Sequence, residues 1–317
     1  EGFITNYFGR KRQLPELRSA SFKAREHGKK QAINSVIQGC LSPETRVLKS
    51  NLTWVPVGNL KEGDGLIAFD EFITPHKGRK WQYTTVLKTG RIMLPCYKLT
   101  FNDRTEIIAS EEHPWLTANG TGHSSWVKTK NLKVCKIRKS KIPLTIPVWD
   151  TDNTREGGYL ASAFDSEGSI SQYRSKGSQG LTIQYSQSSL DIQTEIENIL
   201  STFGFNHARY PKTGGVNPNS GVWQTTIKGG FAENLRFMGQ LRPIRLLNKF
   251  DMVKCSRRMF SKLSRTRMLV GKEYIGIHEV VGLETGTKTY FAEGMPTHNT
   301  AADLVKIGML NLKRYLG

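Results

Sequence analysis

Two periodicities alternate along the chain. Between 40 and 148, β-branched and aromatic residues come in short runs, at 45–48, 66–69, 83–87, 96–101, 105–109 and 142–148, and Gly, Asp, Asn and Pro separate them. That texture predicts an all-β region. From 158 onward the spacing lengthens in places: it predicts a helix over 158–166, strands over 169–173 and 181–186, and a helix from Ser188. This helix places Ile192, Ile196, Ile199, Leu200 and Phe203 on one face and stops at Gly204; further strands and a helix from Ala232 follow. Residues 270–292 return to β texture, while 23–37 and 300–315 carry helix formers at helical spacing. The polar, turn-rich stretch 150–157 marks a boundary. The order helix, β, α/β, β, helix is nested, which predicts one module inserted in another. The expected units are 1–39, then 40–150 with 265–299, then 151–264 inside them, and 300–317.

Composition changes this picture only in part. A chain of 317 residues has room for two domains, each with its own core. Its 46 Lys plus Arg against 27 Asp plus Glu give a formal charge of +19, spread along the chain and not gathered in a tail. Such a balance favours a polyanionic partner, although a solvated basic surface would look the same. No run approaches the ~18 apolar residues of a membrane span, so no membrane partner is expected. The opening Glu1-Gly2-Phe3 is neither an initiator Met nor a signal peptide, and predicts a start inside a longer protein. Cys40, Cys96, Cys135 and Cys255 are widely spaced without a Cys-x-x-Cys pair, which argues against a zinc site and a disulfide scaffold and for a reducing, cytoplasmic location.

Removing 40–299 joins the ends as Ala32-Ile33-Asn34-Ser35-Val36-Ile37-Gln38-Gly39-Thr300-Ala301-Ala302-Asp303. Asn34 and Gln38 stand four apart and can present amides to a base edge or sugar, and Lys30, one turn earlier, can reach a phosphate. A solvated basic helix is the bland alternative. The joined stretch, with "FGRKRQLPEL" at 8–17, resembles a family A (polymerase I-like) DNA polymerase, with Val36 where Pro is usual. The resemblance implies helical polymerase segments on both sides, attached in cis. No carboxylate pair for catalytic metals stands out in these flanks.

The residues at the two seams carry chemistry of their own. Cys40 follows Gly39, and Thr297-His298-Asn299 precede Thr300. A Cys40 thiolate can attack the Gly39 carbonyl, the Thr300 hydroxyl can take over the acyl group, and the Asn299 amide can attack its own carbonyl, with His298 donating to the developing charge. His113 can protonate a leaving nitrogen near neutral pH. Taken singly, a Cys is more often an inert core residue and a His a satisfied polar group. Together, "CLSPETRVL" (40–48), "IIASEEHPWLT" (107–117) and "VVGLETGTKTYFAEGMPTHN" (280–299) resemble the splicing motifs of an intein with the Hint horseshoe fold. That resemblance gives Ser110, where Thr is usual, the task of orienting the scissile amide. Gly282 stands where many relatives have Asp and Lys288 where many have His, two residues that help couple branching to Asn cyclisation.

Inside the α/β region, Leu160-Ala161-Ser162-Ala163-Phe164-Asp165-Ser166-Glu167-Gly168 resembles the LAGLIDADG motif of homing endonucleases, with Glu167 in place of the second Asp. The small residues 161–163 would let two such helices pack closely, and the acid at the helix end would hold Mg²⁺ against a scissile phosphate. Glu167 is the expected metal ligand and Asp165 a capping acid. An amphipathic helix with a polar end is the plainer explanation of the same ten residues. The stretch "LTIQYSQSS" (181–189) resembles a strand of that family whose alternate side chains face the major groove, and period 2 puts Thr182, Gln184 and Ser186 on that face. By the same resemblance Gln187 would position water, and Arg245 and Lys249 are candidates for a cation at the site. With one motif, cutting needs a homodimer; the alternative is a decayed passenger that still binds DNA weakly.

The sequence therefore predicts a multidomain chain: an all-β Hint horseshoe split by an α/β LAGLIDADG domain and flanked by mainly helical polymerase segments. Its expected activities are splicing without a cofactor and Mg²⁺-dependent cutting of double-stranded DNA. The alternatives are a DNA-binding polymerase fragment with an inert insertion and a cleavage-only Hint domain.

Overall fold

The computed structural model describes residues 3–5, 11–13, 21, 39–73, 79–118, 124–134, 141–144, 146–175, 178–211, 221–252 and 265–299. In the first flank, strands β1 (Phe3–Thr5) and β2 (Lys11–Gln13) pair antiparallel. A hairpin thus stands in a flank for which helices were expected. The segments 23–37 and 300–315 lie outside the described residues, as do Lys30, Asn34, Gln38 and Thr300.

The β region is built on two strands of 21 residues each, β6 (Trp81–Phe101) and β15 (Arg265–Thr285), paired antiparallel from Phe101↔Leu269 to Val86↔Thr285. Runs at 83–87 and 96–101 look separate in sequence because Gly90 and Pro95 lie between them. Gly90 sits opposite Gly282 and Pro95 opposite Ile277, inside a continuous ladder. Register shifts after Leu269, Tyr274 and Glu284 bend the ribbon, and Gly276, at φ +85°, takes a left-handed conformation that a side chain would strain.

Around this ribbon lie β3 (Arg46–Leu48), β4 (Trp54–Pro56), β5 (Gly65–Phe69), β7 (Glu106–Ser110), β8 (Pro114–Ala118), β9 (Ser124–Lys128), β10 (Lys141–Leu144), β16 (Thr289–Ala292) and β17 (Met295–His298). One path of pairing runs β4-β3-β16-β17-β8-β10-β15-β6-β5, with β7 on β6 and β9 on β8. β16 and β17 close through Glu293 and Gly294, both at positive φ, the two-residue turn whose twist matches a hairpin. That hairpin carries the end of the β region, Asn299, back beside its beginning.

Between β10 and β15 the chain leaves for a four-stranded antiparallel sheet, β11 (Gly168–Ser175), β12 (Ser178–Gln187), β14 (Trp223–Ile227) and β13 (His207–Pro211), in that spatial order. Helices α1 (Arg155–Ser166), α2 (Leu190–Thr202), α3 (Phe231–Leu241) and α4 (Ile244–Lys249) accompany it. Thr154 and Ser189 accept hydrogen bonds from Gly157 and Ile192 and cap α1 and α2. On α2, Gln193, Ile196 and Leu200 are buried and Ile192 is exposed, so the buried stripe is rotated from the one the apolar spacing suggests. Gln193 reaches Thr225 on β14, and this bond lets an amide occupy an apolar face.

The two regions share a core. Leu48, Leu52, Trp81, Trp149 and Phe291 cluster with Leu160, Phe164, Ile183, Phe231 and Met238. Trp81 stacks on Phe291 at 5.0 Å and meets Phe231 of α3 at 5.2 Å. Trp149 Nε1 donates to Leu52 O, and a Cβ on Gly239 would come within 2.3 Å of that same nitrogen. Only glycine lets α3 approach this closely.

Candidate functional site

The two seams meet. A Cβ placed on Gly39 would stand 3.4 Å from the Asn299 carbonyl oxygen and 3.4 Å from His113 Nδ1. Gly39 itself has φ +81°, a backbone conformation that side chains disfavour. Cys40 is buried, and its amide donates to Ser110 Oγ at 3.1 Å, while Ser110 N donates to Cys40 O at 2.9 Å. Leu41 then bridges Ala109 and Val281, which fixes the junction between β7 and β15. Cys40, Ser110, His113, His298 and Asn299 are thus brought to one place.

Ser110 and His113 lie on the tight turn between β7 and β8, where His113 N donates to Ser110 O at 3.0 Å. Thr129 holds the His113 carbonyl, and Trp115 packs edge-on at 4.5 Å. The ring is fully buried. Its Nε2 bonds Thr297 Oγ1, and Nδ1 faces the Gly39 backbone. Burial pushes the pKa of His113 down to about 3, with the Gly39 backbone opposing and the nearby His298 adding to the drop. The resting ring is therefore neutral. A neutral ring can accept a proton, and it can protonate a leaving nitrogen only after it has received one.

At the other seam Asn299 is buried, with Oδ1 accepting from Thr285 Oγ1 at 2.8 Å and Nδ2 donating to Thr285 O at 2.9 Å. His298 Nδ1 lies 3.1 Å from the Asn299 carbonyl oxygen, and Nε2 lies 3.0 Å from Glu71 Oε1. Lys288, whose ammonium is 3.5 Å from Glu71 Oε2, joins this group from the turn before β16. Tyr290 is buried across from Thr297, and burial followed by the neighbouring Cys40 raises its phenol pKa, so it stays protonated. Thr285, Glu71, Thr297 and Tyr290 belong to the site without having been singled out from sequence. Thr285, Tyr290 and Thr297 lie inside the stretch 280–299, where a closer look at hydroxyls could have found them; Glu71 had no signal.

Among the described cysteines, Cys40 and Cys96 form no disulfide. Burial raises the Cys96 thiol to about 11, so it stays protonated and chemically quiet.

The end of α1 is arranged differently. Glu167 is its C-cap residue and is exposed. The Asp165 carboxylate accepts from the backbone amides of Ile244, at 2.7 Å, and Arg245, at 2.8 Å, and caps α4. Arg245 turns its guanidinium onto the carbonyls of Phe164, Asp165 and Gly168. Arg245, a candidate cation and DNA-facing residue from sequence, thus spends these donors on closing the end of α1. Gln187 folds back onto the Ser188 amide at 2.8 Å, a local turn contact and not an open position for water. Lys249 is exposed, and its carbonyl accepts from Gln172. Among the described residues no three His, Cys, Asp or Glu side chains gather as a metal centre.

Thr182, Gln184 and Ser186 alternate with the buried Leu181, Ile183 and Tyr185, so they line the face of the sheet away from the helices. Gln184 bonds Gln224 at 3.1 Å and Thr226 at 3.2 Å on β14, which leaves a neutral polar face bordered by Tyr210 and Lys228.

A family model for a LAGLIDADG-like domain matches residues 155–236. These residues run from the first turn of α1 into α3 and contain the polar sheet face. Among curated proteins, the chain is 34% identical over 77 residues to the replicative DNA helicase DnaB of Mycobacterium leprae (strain TN), covering 24% of this chain and 11% of that protein. It is 32% identical over 99 residues to the DNA-directed RNA polymerase III subunit rpc2 of Dictyostelium discoideum, covering 30% and 6%. The chain spans about a tenth or less of the length of these relatives. Solved structures similar to it include a variant Ssp DnaB mini-intein, with TM-score 0.39, 12% identity and coverage of 83% of this chain and 95% of that one. Another is a DnaB intein from Synechocystis sp. PCC 6803, at TM-score 0.36, 10% identity and coverage of 83% and 99%. At these TM-scores the overlaps decide nothing alone. No helix among the described residues is long and apolar enough to cross a membrane.

Proposed function

We propose that residues 40–299 splice themselves out of a family A (polymerase I-like) DNA polymerase, and that their nested LAGLIDADG-like domain cuts double-stranded DNA. The observation that carries the splicing proposal is the meeting of Gly39 with Asn299 across a buried, neutral His113. In the first step Cys40 Sγ bonds the Gly39 carbonyl carbon and the Gly39–Cys40 amide bond breaks. His113 takes the thiol proton and returns it to the departing nitrogen. Ser110 Oγ accepts a hydrogen bond from that nitrogen and orients it. Next the Thr300 hydroxyl attacks the thioester, and Cys40 leaves as a thiol. Asn299 Nδ2 then bonds its own carbonyl carbon, the bond to Thr300 breaks, and the proton lost from Nδ2 ends on the Thr300 amine. The acyl group then moves from the Thr300 oxygen to that amine, which gives a peptide and frees the hydroxyl. No cofactor enters any of these steps.

For the nuclease, the matched family and the polar sheet face support a DNA substrate. A divalent ion such as Mg²⁺ would neutralise charge at the scissile phosphate. One chain offers Glu167 alone at the exposed end of α1, a helix that also exposes the small Gly158 and Ser162 further toward its start. This fits an ion shared across two copies packed helix to helix, hence a homodimer.

Mass spectrometry after expression tests the splicing proposal. Splicing yields a released piece of 260 residues, 40–299, and a ligated piece of 57. Unligated pieces 1–39 and 300–317 would mean cleavage only, and an intact chain would mean an inert insertion. Cys40→Ala with Asn299→Ala should leave the precursor whole; product from that variant would overturn the assignment of nucleophiles.

A further inference from the structure

Glu71 leaves the end of β5 in a loop outside every motif, yet it reaches the second seam, 227 positions from His298. Its Oε1 takes His298 Nε2 at 3.0 Å and its Oε2 lies 3.5 Å from Lys288 Nζ. Its backbone carbonyl accepts from Arg79 Nη2 at 3.2 Å, and that guanidinium also lies over the Trp126 ring at 5.9 Å. Trp126 in turn meets the His298 ring edge-on at 5.1 Å. The carboxylate is therefore anchored at its backbone, at both oxygens, and through the ring it serves.

We propose that Glu71 is a positioning residue for Asn299 cyclisation: it holds the His298 ring so that Nδ1–H donates to the Asn299 carbonyl oxygen, with Lys288 steadying the other carboxylate oxygen. This rests on the splicing proposal and adds to it a residue and a task. The donor inventory supports it. The Asn299 carbonyl oxygen can only accept, so Nδ1 meets it as a donor, while Nε2 is the nitrogen that Glu71 holds. When Asn299 Nδ2 bonds its own carbonyl carbon, negative charge moves onto the oxygen that Nδ1–H already faces, 3.1 Å away. The bond to Thr300 then breaks and the Nδ2 proton leaves with the amine. Without Glu71 the ring loses its Nε2 partner and is free to turn about its side-chain bond. Lys288 occupies the position where the splicing resemblance often has His, and here it binds the same carboxylate.

Two precursor backgrounds separate this idea from the proposal beneath it. In a Cys40→Ala precursor, where only release of 300–317 can be followed, Glu71→Gln should slow that release at least about tenfold. Glu71→Asp should recover part of the rate, and Lys288→Met should cost about two- to fivefold. In an Asn299→Ala precursor, thiol-induced release of 1–39 should proceed in Glu71→Gln within about twofold of its parent, which also reports an intact fold. Release of 300–317 at the parent rate in Glu71→Gln would overturn the proposal, as would equal losses at both seams. If neither parent background releases a piece, the splicing proposal itself falls and takes this one with it.

Discussion

The splice centre and the end of α1 both carry reactive side chains, but they are built on opposite principles. At the splice centre Cys40, His113 and Asn299 are buried, and each amide or ring is held by named partners from other strands. At the helix end Glu167 stands exposed, and its neighbours Asp165, Arg245 and Gln187 are occupied with capping. A reaction whose substrate is the chain's own backbone has to be preorganised within one copy. A reaction on DNA can leave its acid open and complete the site when substrate and a second copy arrive. The shared core through Trp81, Phe231 and Phe291 means that these two designs sit in one folded body.

The largest effects should come from attacking this contrast directly. Glu167→Gln should lower Mg²⁺-dependent cutting of the uninterrupted polymerase gene by at least about a hundredfold while leaving the splicing rate unchanged, measured on one preparation by gel and mass spectrometry. Unchanged cutting would remove Glu167 from the metal site. Dilution sharpens the same comparison: below the dimer dissociation constant, cutting should fall faster than protein concentration, whereas the splicing rate constant should not move. Next in size is Gly39→Val. A Cβ there needs an unfavourable left-handed backbone, costing about 1–2 kcal/mol, and would sit 2.9 Å from Pro114 Cδ. Splicing should slow about ten- to a hundredfold, with DNA cutting untouched. Equal loss of both activities would show that the two regions fail together.

Much of the proposed splice centre is legible in the chain because the proposed chemistry is tied to sequence position: a Cys after one seam, His-Asn before the other, and Ser-x-x-His on a turn. The hairpin that returns Asn299 to Gly39 also has a local signal, Glu293-Gly294 between β runs. Glu71 was invisible because only the crossing of β5 and β16 brings it to His298. The long β6 was hidden for another reason. Gly90 and Pro95 break strands locally, and only the partner β15, nearly two hundred residues on, overrides that preference. In the LAGLIDADG-like region the motif predicts an acid at the helix end, where Glu167 stands exposed, but nothing in "QLRP" showed that Arg245 would turn back onto α1. The polymerase flanks are legible only as a joined string.

Stability against pH gives a smaller effect and again separates the two regions. His113 titrates near 6.5 when unfolded and near 3 when buried, so between those values the unfolded chain binds a proton that the folded chain does not. Stability should therefore be full above about pH 6.5 and fall as pH drops through the window, by up to about 1.4 kcal/mol per pH unit. In the Cys40→Ala, Asn299→Ala precursor, the unfolding midpoint between pH 7 and 5 should show this slope, and His113→Gln should flatten it. A slope that survives His113→Gln would place the titrating group elsewhere.

The smallest expected effect is at Thr285. Its hydroxyl donates to Asn299 Oδ1 at 2.8 Å, and its carbonyl separately accepts from Nδ2 at 2.9 Å. Thr285→Val keeps the shape and the carbonyl but removes the hydroxyl, leaving a buried amide oxygen one partner short, a change of about 1 kcal/mol. If the clamp aims Nδ2 at its own carbonyl, release of 300–317 from a Cys40→Ala precursor should slow about five- to tenfold. If the rate rises, the clamp is a brake that holds the amide back until the first seam has reacted, and the hydroxyl sets the order of the two steps and not the speed of the second. Either result would show that one buried oxygen governs the splice centre, a control that the open helix end, with its exposed Glu167, has no means to impose.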